Sequence, residues 1–463
     1  MNYHLPLAAA TFLATAGCTL GPDFHHPGVT GGSRWKEGAA SSSARLPDEW
    51  WKLFGDGELN RLVNRALAAN NDISSARARV DTARALVGVD RARMFPQLNL
   101  TGGATGYRSS AAVTPSTGGV KPNLQGQNYQ AAFNLSYEPD LWGRNRRQLE
   151  ASNADANASQ GDLDALRLGV AAETARQFFL IRALDRQHAV VVETLRTRGE
   201  TLDLQQSKAT AGLADGLTTS SARTQLELAR NDLASVERQR GAAEHALAVL
   251  CGARPSDFTM PAVTSMPRLP SIRPGLPANV LRRRPDVRAA EERLHAANAR
   301  VGVAETAFYP NFTLVGSGGF QALDAAQFLN WENRALSIGL NLASPVIDAG
   351  ANRSRKSAAV AQYQAALASY RQVVLVALRE VEDSLTDLKT LDRSRGALTA
   401  ALASAQETNR LTRDRQNKGL SSYLEVVDAD RTVLQIRLSL AEIEGQQRVS
   451  FANLAKALGG GWK

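Results

Sequence analysis

Residues Asn145 to Lys208 read NRRQLEASNADANASQGDLDALRLGVAAETARQFFLIRALDRQHAVVVETLRTRGETLDLQQSK, a run of 64 residues without a proline and rich in Ala, Leu, Glu, Gln and Arg. At ~1.5 Å rise per residue such a helix spans roughly 95 Å. That length belongs to coiled coils, helical repeats or membrane machinery, not to an ordinary globular helix. A second run of the same character extends from Asn352 to Lys418. Within it Leu367, Val374, Val381 and Leu388 recur at seven-residue steps beside Leu378 and Leu385, which indicates side-by-side coiled-coil packing.

The flanks of the first run are ordered in the same way as those of the second. Before it, apolar spacing at Leu59, Leu62, Val63 and Leu67 predicts a helix from Asp56 or Glu58 to Met94, stopped by Phe95-Pro96. Gln97 to Tyr107 and Gln127 to Glu138 alternate, most plainly Tyr129, Ala131, Phe133, Leu135 and Tyr137, and predict two strands around a polar loop. After the run, Ala211-Gly212-Leu213 breaks the helix and another is expected from Leu217 to Leu250. The series then repeats: Gly212 and Gly419, Leu217 and Leu424, and Asn145 and Asn352 all stand 207 residues apart. Before the strands the separation is 214, as for Pro96 and Pro310, so the first copy has the longer strand loop. Chance similarity between alanine-rich helices does not hold register through strands, turns and helix ends, so the chain is read as duplicated.

The expected organisation is a segment 1–17 for export, a leader 18–57, a first copy 58–252 with hairpin 97–138, a Pro-rich link 253–285, and a second copy 286–459 with hairpin 311–344. The fold class is mainly α with a small membrane β part. In each copy the shorter helices on either side of the long one, stacked end to end, match its length. Each copy thus supplies two columns of a coiled-coil tube, and each chain supplies four strands.

Composition narrows the function classes. The 463 residues carry a formal charge of +9, yet Lys and Arg alternate with Asp and Glu along the helical runs, which disfavours nucleic acid as a partner. No metal-ligand cluster, nucleophile elbow or phosphate-binding glycine loop occurs, and the six histidines are scattered in sequence, so an enzyme is disfavoured and no cofactor or metal is expected. Of the two cysteines, Cys251 ends a helix as Leu250-Cys251-Gly252 and reads as a small buried hydrophobe.

Cys18 reads differently. Leu5 to Gly17 is an apolar stretch of signal-peptide length, too short for a permanent span, and it ends Thr15-Ala16-Gly17-Cys18. This resembles a bacterial lipobox, whose cysteine becomes the acylated first residue; the alternative is an ordinary signal peptide with an incidental cysteine. Thr19 in place of the aspartate that retains lipoproteins at the inner membrane points to the outer membrane.

Alternating strands with one apolar face suit the lipid-facing wall of an outer-membrane barrel. Four strands cannot close, since ~8 is the practical minimum and leaves a lumen filled by side chains. Three chains would supply twelve strands and twelve helical columns, which derives a homotrimeric conduit with a barrel in the outer membrane lipid and a helical tube in the periplasm.

Several motifs also carry a resemblance. Cys18-Thr19-Leu20-Gly21-Pro22-Asp23-Phe24, Trp50-Trp51 with Phe54-Gly55-Asp56, Tyr137-Glu138-Pro139-Asp140-Leu141-Trp142-Gly143-Arg144, and the stretch from Gly275 through Arg282-Arg283-Arg284-Pro285-Asp286 to Glu291 occur in that order. In this the chain resembles the TolC-like outer membrane efflux protein family, lipoprotein branch, the NodT-type outer membrane factors of tripartite efflux systems. The resemblance implies a trimeric exit duct that works with a periplasmic adaptor and an inner-membrane pump, commonly of the resistance-nodulation-division class. It also implies an equatorial belt made of leader, link and chain end. The turns Gly212-Leu213 and Gly419-Leu420 would be the adaptor-contacting tips of the tube. Glu425 and Asp428, where the first copy has Thr218 and Ser221, would form an acidic gate; the alternative is that they complement the helix dipole. A type I protein-secretion duct would share this architecture, and a non-conducting coiled-coil envelope lipoprotein would need no alternating strands.

Overall fold

The computed structural model describes residues 19–28, 35–36, 46–108, 110, 125–213, 215–271 and 277–461. Cys18 and the segment 1–17 lie outside the described residues. In chain order the elements are α1 (Gly57–Ala69), α2 (Asn71–Ala92), β1 (Gln97–Arg108), β2 (Gln125–Tyr137), α3 (Arg144–Thr210), α4 (Gly216–Leu250), α5 (Pro277–Arg283), α6 (Pro285–Thr306), β3 (Asn311–Ala322), β4 (Arg334–Ala343), α7 (Ala351–Asn417) and α8 (Tyr423–Ala457).

The duplication is visible in the element lengths. Both long helices, α3 and α7, have 67 residues, α4 and α8 both have 35, and α2 and α6 both have 22. Both halves reach these lengths because the same stop signals recur. Each long helix closes with a glycine in the left-handed region, Gly212 at φ 73° and Gly419 at φ 74°. There the amides of Leu213 and Leu420 reach back to the carbonyls of Lys208 and Arg415.

The expected single helix from Glu58 to Met94 is two helices. Asn70 stands between them with ψ 127°, an extended conformation. Its Oδ1 accepts from the amides of Asp72 and Ile73 at 2.9 and 3.2 Å, and its Nδ2 donates to the Leu250 carbonyl at 3.1 Å. One side chain therefore starts α2 and satisfies the end of α4. Asn70→Ala is expected to cost about 1–2 kcal/mol, measured by thermal unfolding in detergent. Asn70→Asp, which keeps the cap acceptor and loses the donor, should recover part of it.

The chain resolves into two compact units. The first contains Val80–Ser159, Ala290–Tyr370 and the described part of Met1–His26. It holds one antiparallel sheet in the order β1-β2-β3-β4. Its leader segment is strapped to α3 and α6. The buried Arg147 guanidinium donates to the carbonyls of Leu20 and Gly21 and to Asp23 at 2.8 Å. Gly21, at φ 93°, lies against Gly302 so closely that an added Cβ would be 2.3 Å from the Gly302 Cα. Phe24 stacks on His295 at 4.5 Å, His295 meets Glu150 at 2.8 Å, and His26 meets Glu291 at 2.7 Å. His26 and His295 thus each face a carboxylate.

The second unit contains Pro27–Arg79, Gln160–Ala289 and Arg371–Lys463 in their described parts. Its core is aromatic. Trp50, Trp51 and Phe54 form a short 3-10 turn that is buried throughout its aromatic side, and Phe54 packs 4.5 Å from Phe179 and 5.0 Å from Phe451. Cys251 is fully buried with its Sγ directed to the Leu62 carbonyl, and burial pushes its thiol pKa up, as expected of an inert cysteine. Of the seven-residue series, Val374 and Val381 are buried in this unit and Leu378, Leu385 and Leu388 are half-buried. Leader, link and chain end meet here: an added Cβ on Gly461 would strike the Leu46 carbonyl, and one on Gly459 would press on Arg283.

Candidate functional site

The sheet's register places the larger apolar side chains on one face, apart from Tyr107 and Val315. Leu98 pairs with Leu135 and Leu100 with Phe133, Leu135 with Gly316 and Tyr137 with Leu314, and Leu314 with Leu340 and Phe312 with Leu342. Because strand residues alternate faces, one face carries Leu98, Leu100, Phe133, Leu135, Tyr137, Phe312, Leu314, Phe320, Leu336, Ile338, Leu340 and Leu342. The opposite face carries Asn99, Thr101, Asn128, Gln130, Asn134, Ser317, Gln321 and Asn341. The polar residues are bonded across strands: Asn134 Nδ2 donates to Thr101 Oγ1 at 2.8 Å and Gln321 Nε2 to Asn128 Oδ1 at 3.0 Å.

Among the described residues nothing covers the apolar face at its two edge strands. Every residue of β1 is exposed, and on β4 only Gly339 is not. β1 and β4 are also the two edges of the sheet, so each presents a row of backbone donors and acceptors with no described strand beyond it. Strands of 12 and 13 residues exceed the ~9–11 that a tilted strand needs to cross a bilayer. No described helix is long and apolar enough to cross a membrane, which says nothing of a strand wall. An oily face, a hydrogen-bonded polar face and two open edges together make one sector of a membrane barrel.

The expected tip residues sit in the second unit. Gly212 and Gly419 take the left-handed turns described above, and Leu213 and Leu420 are exposed. The following helices are capped differently. Asp215 accepts from the Thr218 amide to start α4. In the second copy Ser422 caps α8 and Glu425 returns the bond, forming a capping box. Glu425 Oε2 also accepts from Ser421 Oγ at 2.6 Å. The Ser421 hydroxyl, then the Ser422 amide and hydroxyl, hold the Glu425 carboxyl below its usual range. Glu425 and Asp428 are both exposed, but the turn engages Glu425 while Asp428 projects from the next turn of the helix. The box was readable as Ser422-x-x-Glu425.

Two features near these turns were not foreseen from the sequence. Tyr423 packs against Leu202, Ala222 and Leu226 of the first copy. Arg413 of α7 makes a two-pronged bond to Asp430 of α8, both contacts 2.7 Å, with Asn409 on the same carboxylate. Among the described residues no group of His, Cys, Asp and Glu could hold a metal ion.

The sequence pattern of one family, described as outer membrane efflux protein, matches residues 62–253 and 276–460. The outer membrane protein OprJ of Pseudomonas aeruginosa is 31% identical over 458 residues, covering 97% of this chain and 94% of that protein. Among solved structures, the outer-membrane channel OprN superposes with a TM-score of 0.88 at 30% identity, over 96% of this chain and 100% of that one. The CmeC outer membrane channel of Campylobacter jejuni gives 0.91 at 25% identity, over 96% of each chain.

Proposed function

This chain belongs to the outer membrane efflux protein family, and from that premise we propose that it is the outer membrane exit duct of a tripartite efflux system, conducting small molecules passively to the exterior. The observation that carries the reading is the four-stranded sheet with one apolar face, one polar face and two open edges. Four strands are below the ~8 that close a barrel, so the reading includes a homotrimer whose twelve strands enclose a lumen lined by the Asn, Gln, Ser and Thr side chains. The same sheet disfavours a non-conducting envelope spacer, which has no use for it.

In this proposal the two copies, 58–252 and 286–459, build the periplasmic helical tube, Cys18 is acylated and adds a lipid anchor, and the turns at Gly212-Leu213 and Gly419-Leu420 meet a periplasmic adaptor. The adaptor connects to an inner-membrane pump of the resistance-nodulation-division class. The exposed Leu213 and Leu420 give such a contact an apolar point at each turn.

Glu425 and Asp428 are proposed to form an acidic ring, three of each around the axis, that narrows the pore and favours cations. The capping box separates charge from structure, because Gln can replace Glu in such a box. Glu425→Gln with Asp428→Asn should therefore fold as the parent does and lose its cation preference in planar bilayers, the permeability ratio falling to that of free diffusion; unchanged selectivity overturns the gate. The sign with pH follows from Glu425. Its carboxyl is held below the ordinary 4.5, so its charge and the cap are fully present above that value. Selectivity should be constant from neutral pH down to about 4.5 and fall only below it.

A further inference from the structure

The internal duplication makes a joint inside the chain the template for a joint between chains. Inside one protomer the hairpin of the first copy meets the hairpin of the second, because β2 lies beside β3. There Trp142 Nε1 donates to the Pro310 carbonyl at 2.7 Å and its ring lies 5.0 Å from that of Tyr309. Pro139 to Trp142 form one wall of a cavity of about 880 Å³ whose other walls include Val303, Tyr309, Asn311, Ala343, Asn352 and Arg355.

A second cavity, of about 630 Å³, is lined by Val89, Phe95, Gln97, Ser136, Asn145 and Gln148. These are the same six positions one copy earlier, at separations of 214 before the strands and 207 after them. What the second cavity lacks is the wall. The residues that correspond to Pro139–Trp142 are Val346, Ile347, Asp348 and Ala349, and they follow β4, at the opposite edge of the sheet from β1. Val346 and Ile347 are accordingly 91% and 92% exposed.

We infer that Val346 and Ile347 of one protomer close the Val89–Phe95 cavity of the next, so that this second cavity is complete only in the assembly. The inference rests on the trimeric reading above, in which β4 of one chain pairs with β1 of its neighbour. At three positions of the joint the chemistry becomes more apolar. Ile347 stands where the first copy has Asp140, Phe95 where the second has Tyr309, and Ala349, at φ 49°, where the first has the hydrogen-bonding Trp142. The helix-capping duty of Asp140, which accepts from the Asn145 and Arg146 amides, passes one place along to Asp348. That residue accepts from the Gly350 and Asn352 amides at 2.9 and 2.8 Å. The shift leaves Val346-Ile347 without a local task and matches them to Phe95, which is itself exposed in the protomer. The intrachain wall is aromatic and hydrogen-bonded; the wall that Val346 and Ile347 would supply is aliphatic, and it faces a cavity where Val89, Ala92 and Phe95 stand beside Arg93, Glu138 and Arg144.

The test is crosslinking of full-length chains with a short bis-maleimide in outer membranes. Co-expressed Phe95→Cys and Ile347→Cys chains should give covalent dimers, and neither variant alone should, which also controls for the native cysteines. If light scattering in detergent shows a trimer and the mixture gives no dimer, the inference is overturned and the trimer stands; if no trimer is found, both fall. Val346→Asp with Ile347→Asp provides the converse reading. It should leave the far-ultraviolet circular dichroism of the protomer unchanged and dissociate the trimer at lower temperature, and an unchanged dissociation temperature counts against the joint.

Discussion

Asp185→Leu is expected to destabilise the second unit by about 3–5 kcal/mol, the range for removing one member of a buried ion-pair network. The Asp185 side chain is 1% exposed. It accepts from Arg240 Nε at 2.6 Å and from the Val263 amide at 3.0 Å, with Arg182 Nη1 at 3.5 Å. Arg240 in turn donates to Glu244 and to the Met260 carbonyl, and Glu244 accepts from the Met260 amide. Arg182 reaches the Pro261 carbonyl at 2.9 Å and lies over the Phe178 ring. Over residues 258–271 the link lies outside any helix or sheet, so its amides and carbonyls need partners from elsewhere. Charged side chains of α3 and α4 match them instead. Leucine at 185 fills the volume but leaves two guanidinium groups out of water with less negative charge to face. The reading is taken as the unfolding midpoint in detergent, with Asp185→Asn as the comparison. The amide keeps an acceptor for Val263 and should lose less, about 1–3 kcal/mol. Equal losses for Leu and Asn would show that charge is not what holds the link.

The features that repeat with a period were legible in the sequence, and those that depend on distant partners were not. Helix ends at Gly212 and Gly419 are local, because only the next two residues and the preceding turn take part in the motif. Strand faces are local too, and Tyr129 to Tyr137 announced the oily side of β2 by alternation alone. The break at Asn70 was missed because no proline or glycine marks it. The signal lay in the other copy, where Pro285, 214 residues after Asn71, stops α5 and starts α6 in the same register. Glu425 and Asp428 looked equivalent as acids three apart. The structure separates them because serines at 421 and 422 engage only the nearer one. The leader's attachment could not be read from local pattern: Asp23 meets Arg147 across 124 positions and His26 meets Glu291 across 265. No pattern within either segment specifies the other.

Arg284 shows the same limit and gives the second large effect. Read alone, Arg282-Arg283-Arg284 is a solvated basic turn. Arg282 is exposed, but the Arg284 side chain is only 4% exposed, and its partners lie far along the chain. Its guanidinium makes a two-pronged bond to Asp286, at 3.0 and 2.7 Å, and donates to Glu380 at 2.6 Å and to the Ala457 carbonyl at 3.1 Å. One residue therefore ties the start of α6 to α7 and to the end of α8. Arg284→Leu is expected to cost about 3 kcal/mol, the low end of the range for a broken buried pair. The loss is smaller than for Asp185 because the carboxylates left behind, Asp286 and Glu380, keep 39% and 30% of their side-chain surface in water and can hydrate. Arg284→Lys should recover only part, since a point charge cannot replace a planar fork that serves three acceptors. Adding Glu380→Gln to Arg284→Leu removes the charge that the first change strands, so the double variant should be more stable than the two single losses predict when added. Strict additivity would mean that Glu380 does not depend on Arg284. An unchanged midpoint for Arg284→Leu itself would mean that the cost of burying the guanidinium cancels its contacts, leaving the arginine to set the register of the three helices without adding to their stability.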